Sequence, residues 1–520
     1  MLTLTFSFSF SAGCISEKNK IKPAIDLLLE NKTVEEVIVT NKKAAKDSTP
    51  NQSAKTIKIT ESYLSQKSEN KTDGFQSQWP MFRQNCQRTG ESPLTFRNMN
   101  LELQWVFKPS EHTFSYREGT NLWSESAIAI DNNGRTEIIV GSYDHKIYCL
   151  NASNGNRIWT FNSGDEIVAT PIAGDENIVF LSSDRSIYGL NSSGKRQWIK
   201  QLQKWTHTSQ PLVASSPVVF DNLFSGGYYI NDTYFFDRRQ EGYAFLRSSE
   251  TNEEIWTVLL RRSPIYGPAI GDFKGHKILF FTTSDGIVCA INGQNGQVIW
   301  KFTADQQIRS TPVFSIINDK PTVLISARWG MVWAINGNTG KALWSYRTGH
   351  MCDSSLAIAD IKTAPHQNKF LPDNSKSKSE KIILSGSYDR CLHGIYASSS
   401  KRAWKFETKG VILSSPAIAQ LSPTAEQLNY SEKIAFFSSM DNYLYCVSLA
   451  SGRKLWSFKT GALPWPFFKR GDAVFSSPLI CNITTQKNKD SIQKKKTMVI
   501  FPCHDGKIYA FASKHNKHKP

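Results

Sequence analysis

The stretch GSYDHKIYCLNASNGNRIW, residues 141–159, sets Asp144 beside His145, with Cys149 close behind and Trp159 at its end. Alone it reads as a reactive constellation. Aligning the rest of the chain on that tryptophan turns it into one copy of a repeat. RIWTF (Trp159) is followed by RQWIK (Trp198), EIWTV (Trp256), VIWKF (Trp300), LWSY (Trp344), AWKF (Trp404) and LWSF (Trp456), and LQWVF (Trp105) stands ahead of them all. The intervals from Trp105 are 54, 39, 58, 44, 44, 60 and 52 residues. Self-similarity at a spacing of about 40–60 residues is the mark of propellers and solenoids, and these intervals suit units of four strands with variable loops.

The other slots of the unit recur as well. Four residues before the tryptophan stand Gly155, Gly194, Asn252, Gly296, Gly340, Ser400 and Gly452, mostly residues that accept the positive φ of a tight hairpin. Ahead lies a short strand: KIYCLN, SIYGLN, GYAFL, IVCAIN, MVWAIN, LHGIY, YLYCVS and KIYAF. An earlier apolar strand ends in a turn carrying Asp144, Asp184, Asp285, Asp389, Asp441 and Asp505. That suits a carboxylate accepting a backbone N–H rather than a catalytic acid. The first strand of each unit reads SESAIAI, VATPIAG, SSPVVF, YGPAIGD, STPVFS, DSSLAIAD, SSPAIAQ or FSSPLI. Cys149 fills a slot held elsewhere by Gly189, Ala244, Ala290, Ala334, Gly394, Cys446 and Ala510, so the position asks for a small side chain, not for a thiol.

The ends interlock. The chain finishes on a second and third strand, MVIFPCHDGKIYAF, and opens on a lone fourth strand, LELQWVF around Trp105. Joining the two removes the exposed sheet edges of an open array. The fold predicted is all-β: an eight-bladed β-propeller of four-stranded antiparallel blades, its ring closed by the strand near Trp105.

The pattern of Ala/Tyr-x-Leu-Asn, Asn-Gly and x-x-Trp closely resembles the PQQ-like (quinoprotein-type) propeller repeat family, over about residues 79–513. WPMFRQNCQRTG, residues 79–90, resembles the Trp-Pro-x-Phe-Arg…Arg-Thr-Gly lead-in found before such propellers. The resemblance implies that the eight tryptophans are structural, each on an outer strand between neighbouring blades. It also implies two functional classes. One is the quinoprotein dehydrogenase of alcohols or sugars, with PQQ and calcium at the funnel mouth. This chain has no Cys-Cys pair, no CxxCH and no acid and amide set that maps onto that class. The other is the noncatalytic lipoprotein propeller, such as the assembly scaffold of the outer membrane. The expectation is a noncatalytic protein-binding or scaffold module with no cofactor; PQQ with calcium belongs only to the dehydrogenase alternative, and a glycan- or peptide-binding, lectin-like module is a third reading.

Composition bounds the rest. Of 520 residues 40% are hydrophobic and 12% aromatic, which favours a packed β body. The net charge of +17 suggests an anionic partner, yet lysines concentrate in the first 80 residues, 362–381, 487–496 and the 514–520 tail, so solvated segments account for it without nucleic acid. Nine cysteines occur without a CxxC, which writes neither a zinc site nor a disulfide framework. The N-terminus MLTLTFSFSFSAGC resembles a bacterial lipoprotein signal (1–14) with Cys14 as the lipidated residue, followed by a tether at 15–78. No run approaches the roughly 20 apolar residues of a spanning helix, so membrane contact is an anchor and the location a cell envelope.

A ligand site, if present, belongs at the funnel mouth, where fourth-to-first and second-to-third connections meet. Three long aromatic connections fall there: 108–123, 202–213 and 462–472. They offer Trp123, Trp205, His207, Trp465, Phe468, Lys469 and Arg470. Blade 5 breaks the repeat with Arg328-Trp329 in place of Ser-Asp, and His350 to Asp353 precede the next first strand. Arg309, Glu125 and Asp353 add charge. Stacking faces with a few charges suit an envelope protein or a glycan as partner of a monomeric propeller.

Overall fold

The computed structural model describes residues 76–109, 124–174, 177–202, 213–232, 239–249, 251–261, 263–361, 380–423, 432–461, 477–485, 494–503 and 506–514. Cys14, the tether to residue 75, Asp505 and the tail from residue 515 onward lie outside them. The described chain is all-β, in eight sheets that form the blades of a propeller. They run in order at 128–162, 172–201, 213–261, 265–303, 313–347, 357–407, 417–459 and 479–513. In the last sheet Leu101–Phe107 pairs antiparallel with Ile508–Ser513, so the first complete outer strand closes the ring on the final blade. Gln76–Trp79 pairs antiparallel with the inner strand of blade 1.

The repeat slots have physical reasons. All seven residues four before a tryptophan sit at positive φ, Asn252 at 57° and Ser400 at 58° among the glycines. The tryptophan lies opposite the small slot: Cys149 faces Trp159, Gly189 Trp198, Ala290 Trp300, Ala334 Trp344, Gly394 Trp404, Cys446 Trp456 and Ala510 Trp105. Blade 3 departs from the sequence reading. There Trp256 faces Leu246, and Ala244 faces Val258, because its longer third and fourth strands (Arg239–Ser248 and Glu254–Arg261) shift register twice.

From that slot each ring reaches the next blade. Trp105 lies against Gly155, Trp159 against Gly194, Trp256 against Gly296, Trp300 against Gly340 and Trp404 against Gly452. The indole N–H donates to a carbonyl of the same hairpin: Trp105 to Ala152 at 2.8 Å, Trp159 to Ser192 at 2.9 Å, Trp300 to Gly337 at 2.8 Å and Trp404 to Leu449 at 2.8 Å. Trp198 differs, its Nε1 being buried without a partner. Replacing Gly394 by Ala would drive a methyl into Trp404 Cε2. Gly394→Ala is expected to cost about 1–3 kcal/mol by overpacking, read as a lowered midpoint in urea.

The turn aspartates brace adjacent blades. Asp184 accepts from Gly164 N (2.9 Å) in the loop leaving blade 1 and from Ser186 N (2.9 Å) in its own turn. Asp441 likewise accepts from Lys409 N (3.0 Å) and Tyr443 N (3.1 Å), and Asp389 from Gly349 N (3.1 Å) and Cys391 N (3.0 Å). A side chain four residues on completes each brace: Tyr188, Tyr445 and, in blade 6, His393 at 2.9 Å.

Asp144, His145 and Cys149 go separate ways. Asp144 accepts from Tyr148 Oη, His145 Nε2 lies 3.6 Å from Asp165, and Cys149 Sγ is 3.4 Å from Glu137. Burial, with Glu137 beside it, pushes the Cys149 thiol far up, away from thiolate chemistry. His145 fills a left-handed turn position (φ 67°) shared with Arg185, Gly286, Arg390 and Asn442.

Candidate functional site

The inner strands start on a belt of hydroxyls. Thr170, Ser216, Thr311, Ser355, Ser415 and Ser477 stand at the same register, one per blade, just ahead of the inner β segment. They link blade to blade: Thr170 N donates to Ser216 Oγ (2.9 Å), Thr311 N to Ser355 Oγ (3.0 Å), Ser355 N to Ser415 Oγ (3.0 Å) and Ser415 N to Ser477 Oγ (2.9 Å). Ser477 N donates to Glu125 O (2.6 Å), closing from blade 8 to blade 1.

Deeper in the channel lies the lead-in, which sequence reading treated only as a family signature. It is an axle. Backbone N–H groups from the inner strands donate to successive carbonyls along it: Ala173 to Pro80 (2.9 Å), Ile270 to Cys86 (2.8 Å), Phe314 to Gln87 (2.9 Å), Ile358 to Thr89 (3.0 Å) and Ile418 to Gly90 (2.8 Å). Glu91–Phe96 then pairs parallel with the inner strand of blade 7. Blade 1 is held by Gln76–Trp79, and blade 8 through Asn482 N on Gln78 and Thr497 Oγ1 on Thr95 O (2.8 Å).

Two fully buried guanidinium groups pin the axle. Arg88 donates to Pro268 O (2.9 Å), Ser216 O (2.7 Å), Pro217 O (2.7 Å) and Phe82 O. Arg83 donates to Leu356 O and Pro416 O. Burial pushes Arg88 down to about 10; burial, with Arg88 nearby, pushes Arg83 down to about 9. The one available signal was the pair of arginines in the short, Gly-ended segment RQNCQRTG. Nothing local says that their partners are carbonyls from four other blades.

Above the belt, the repeat-breaking residues gather at the mouth. Glu125 and Tyr266 immediately precede the belt register in blades 1 and 4; Arg309 and Asp353 stand two residues before it in the adjacent blades 5 and 6. Glu125 reaches across to blade 3, accepting from Ser216 Oγ. Tyr388 Oη donates to Asp353 Oδ2 (3.2 Å), while Asp353 Oδ1 is shielded from solvent without a hydrogen-bond partner. His350 stacks on Tyr388 with centroids 6.0 Å apart. Arg328 donates to Gln307 Oε1 (3.1 Å), and Trp329 is 68% exposed. Burial pushes the Tyr388 phenol up to about 12, with Asp353 adding to it and Arg328 and Arg309 opposing. The Tyr266 phenol is raised by burial too, and Arg309, Glu125, Asp353 and Arg328 all act on it, which marks the group as one neighbourhood.

Six of the residues picked from sequence therefore lie around this mouth: Glu125, Arg309, Arg328, Trp329, His350 and Asp353. Tyr266 and Tyr388 were missed, since each reads as an ordinary blade aromatic. Trp123, Trp205, His207, Trp465, Phe468, Lys469 and Arg470 lie outside the described residues.

Burial raises the Glu125 carboxyl; Ser216 and Arg88 pull the other way without cancelling it. An acid whose folded pKa is raised is destabilising when ionised, a penalty that sets in as pH rises through the folded pKa and is gone below the unfolded one, about 4.3. Glu125→Gln is thus expected to raise the melting temperature at pH 7 and to change little near pH 4, as thermal melts at the two pH values will read.

Among the described residues no three His, Cys, Asp or Glu side chains converge as metal ligands, and the mouth acids bond to hydroxyls. Residues 112–230 and 244–369 match the family model described as outer membrane protein assembly factor BamB. No curated protein matches the chain in sequence. Among solved structures, the quinohemoprotein alcohol dehydrogenase of Comamonas testosteroni is similar with a TM-score of 0.55 at 13% identity, over 85% of this chain and 81% of that one. A europium-containing methanol dehydrogenase gives 0.55 at 12%, over 85% and 98%, and Saccharomyces cerevisiae Sqt1 gives 0.52 at 13%, over 81% and 100%. At such identity these neighbours speak for the fold alone. By repeat and by fold the chain is an eight-bladed β-propeller, and the family-model match and structural neighbours are consistent with the PQQ-like propeller family.

Proposed function

We propose that the chain is a noncatalytic cell-envelope propeller acting as a protein-binding scaffold, anchored by lipid at Cys14 and turning its channel mouth to a partner. The observation that carries this reading is the character of the mouth. Its repeat-breaking residues are charged and aromatic, and its two acids bond to the neutral hydroxyls of Ser216 and Tyr388 rather than converging on one point. That is an arrangement for recognition. The matched family model is that of an outer membrane assembly factor, which brings an assembly-type envelope protein to the proposal as the kind of partner.

A photo-crosslinking amino acid at positions 309, 328 and 329, in cells of the native host, tests it. The expected result is a discrete envelope-protein adduct from the mouth positions and none from an outer-strand control at Leu343. Cys14→Ser is expected to release the protein from the membrane fraction. The dehydrogenase alternative makes the opposite forecast: PQQ with calcium would raise the melting temperature and support dye reduction with alcohols or sugars. That outcome without mouth adducts would overturn the scaffold reading.

A further inference from the structure

We propose that the mouth binds a neutral, hydroxyl-rich ligand, a saccharide chain, with Asp353, Arg309 and Arg328 sharing its hydroxyls and Trp329 covering one face of a sugar ring. This goes beyond the scaffold reading, and it rests on that reading only in taking the mouth as the binding face.

The charge pattern selects the ligand class. At the residue before the hydroxyl belt, blades 3, 5, 6 and 7 carry Ser215, Ser310, Ser354 and Ser414, whereas blades 1 and 4 carry Glu125 and Tyr266. One residue earlier come Arg309 and Asp353 in neighbouring blades, and Arg328 replaces the serine of the usual turn in blade 5. Among the described residues of the mouth, these two carboxylates and two guanidinium groups balance. An anionic ligand drawn to the arginines meets Glu125 and Asp353, and a cationic one meets Arg309 and Arg328. Neither sign is favoured.

Hydrogen bonding points the same way. Asp353 Oδ2 is served by Tyr388 and keeps a further lone pair to offer, while Oδ1 is enclosed with no donor, the kind of buried acceptor that an enclosed water explains. A hydroxyl donates without charge, and its oxygen then accepts from an arginine, so vicinal hydroxyls use both kinds of partner at once. Arg309 is exposed, and Arg328 presents its fork beside Gln307. Trp329, 68% exposed on the same turn, and the stacked pair of His350 and Tyr388 supply flat apolar faces for the C–H face of a pyranose.

Calorimetric titration of the full chain with maltoheptaose, cellohexaose and chitohexaose, against a galacturonate hexamer and a fully deacetylated chitosan hexamer, decides it. At least one neutral oligosaccharide is expected to bind with a Kd below about 1 mM, with little dependence on salt. Asp353→Asn and Trp329→Ala are each expected to weaken it about tenfold or more while the melting temperature holds. Tyr388→Phe, which frees Oδ2 without removing the carboxylate, is expected to weaken it less. Preference for either charged hexamer, or no neutral probe bound at about 5 mM, would overturn the saccharide inference and leave the crosslinking result untouched. Binding that persists unchanged in both Asp353→Asn and Trp329→Ala would overturn the mouth as its site.

Discussion

Arg88→Met is expected to destabilise the whole propeller by about 4 kcal/mol, near the top of what single substitutions do. The reason is the number of acceptors one guanidinium serves. Pro268 O, Ser216 O, Pro217 O and Phe82 O all depend on it, and they belong to blades 3 and 4 and to the axle itself. Each buried carbonyl left unpaired costs about 1–3 kcal/mol, and regaining the hydration of a buried charge returns part of the sum. Methionine keeps most of the volume and removes the donors, which separates hydrogen bonding from packing. Arg88→Lys keeps the charge but not the fork, and is expected to recover only part of the loss. Urea denaturation of the three proteins checks the order wild type, Lys, Met. A loss below about 1 kcal/mol for Arg88→Met would show that the axle is pinned by its backbone bonds alone.

Trp404→Ala is expected to cost about 3–5 kcal/mol, the range for emptying a large aromatic site. Its ring is 9% exposed, lies on Gly452 of the next blade and donates to Leu449 O at 2.8 Å. Trp198 offers the internal control, because its Nε1 is buried without a partner. Trp404→Phe is expected to lose about 1 kcal/mol more than Trp198→Phe, the difference being one hydrogen bond across a blade junction. Equal losses would mean that the indole N–H adds nothing to the junction.

How much of this could be read beforehand differs from residue to residue. The hairpin glycines, with Asn252 and Ser400 in the same slot, were legible because positive φ is a local demand that few residues meet. Trp159 and its counterparts were legible because a repeated junction needs the same side chain each time. The register of blade 3 was not: whether Ala244 or Leu246 faces Trp256 depends on two bulges, and a bulge moves a side chain without changing composition. Arg328 and Asp353 stood out as breaks in a pattern, but their company did not. Tyr388 meets Asp353 only because the turn of blade 6 folds over the loop leaving blade 5.

By itself the sequence determined the number of blades, their four strands, and the meeting of the two ends at Trp105, since periodicity and turn chemistry are written locally and eight copies corroborate one another. Only the tertiary structure decided what fills the channel. Besides turn bonds within itself, such as Gly90 N to Arg83 O (3.1 Å) and Arg88 to Phe82 O, WPMFRQNCQRTG finds the partners of its carbonyls and its two arginines in inner strands up to some 330 residues away, at Pro416 for Arg83. Such bonds exist only once the ring has closed around the segment, because it is the ring that brings those inner strands to a common axis.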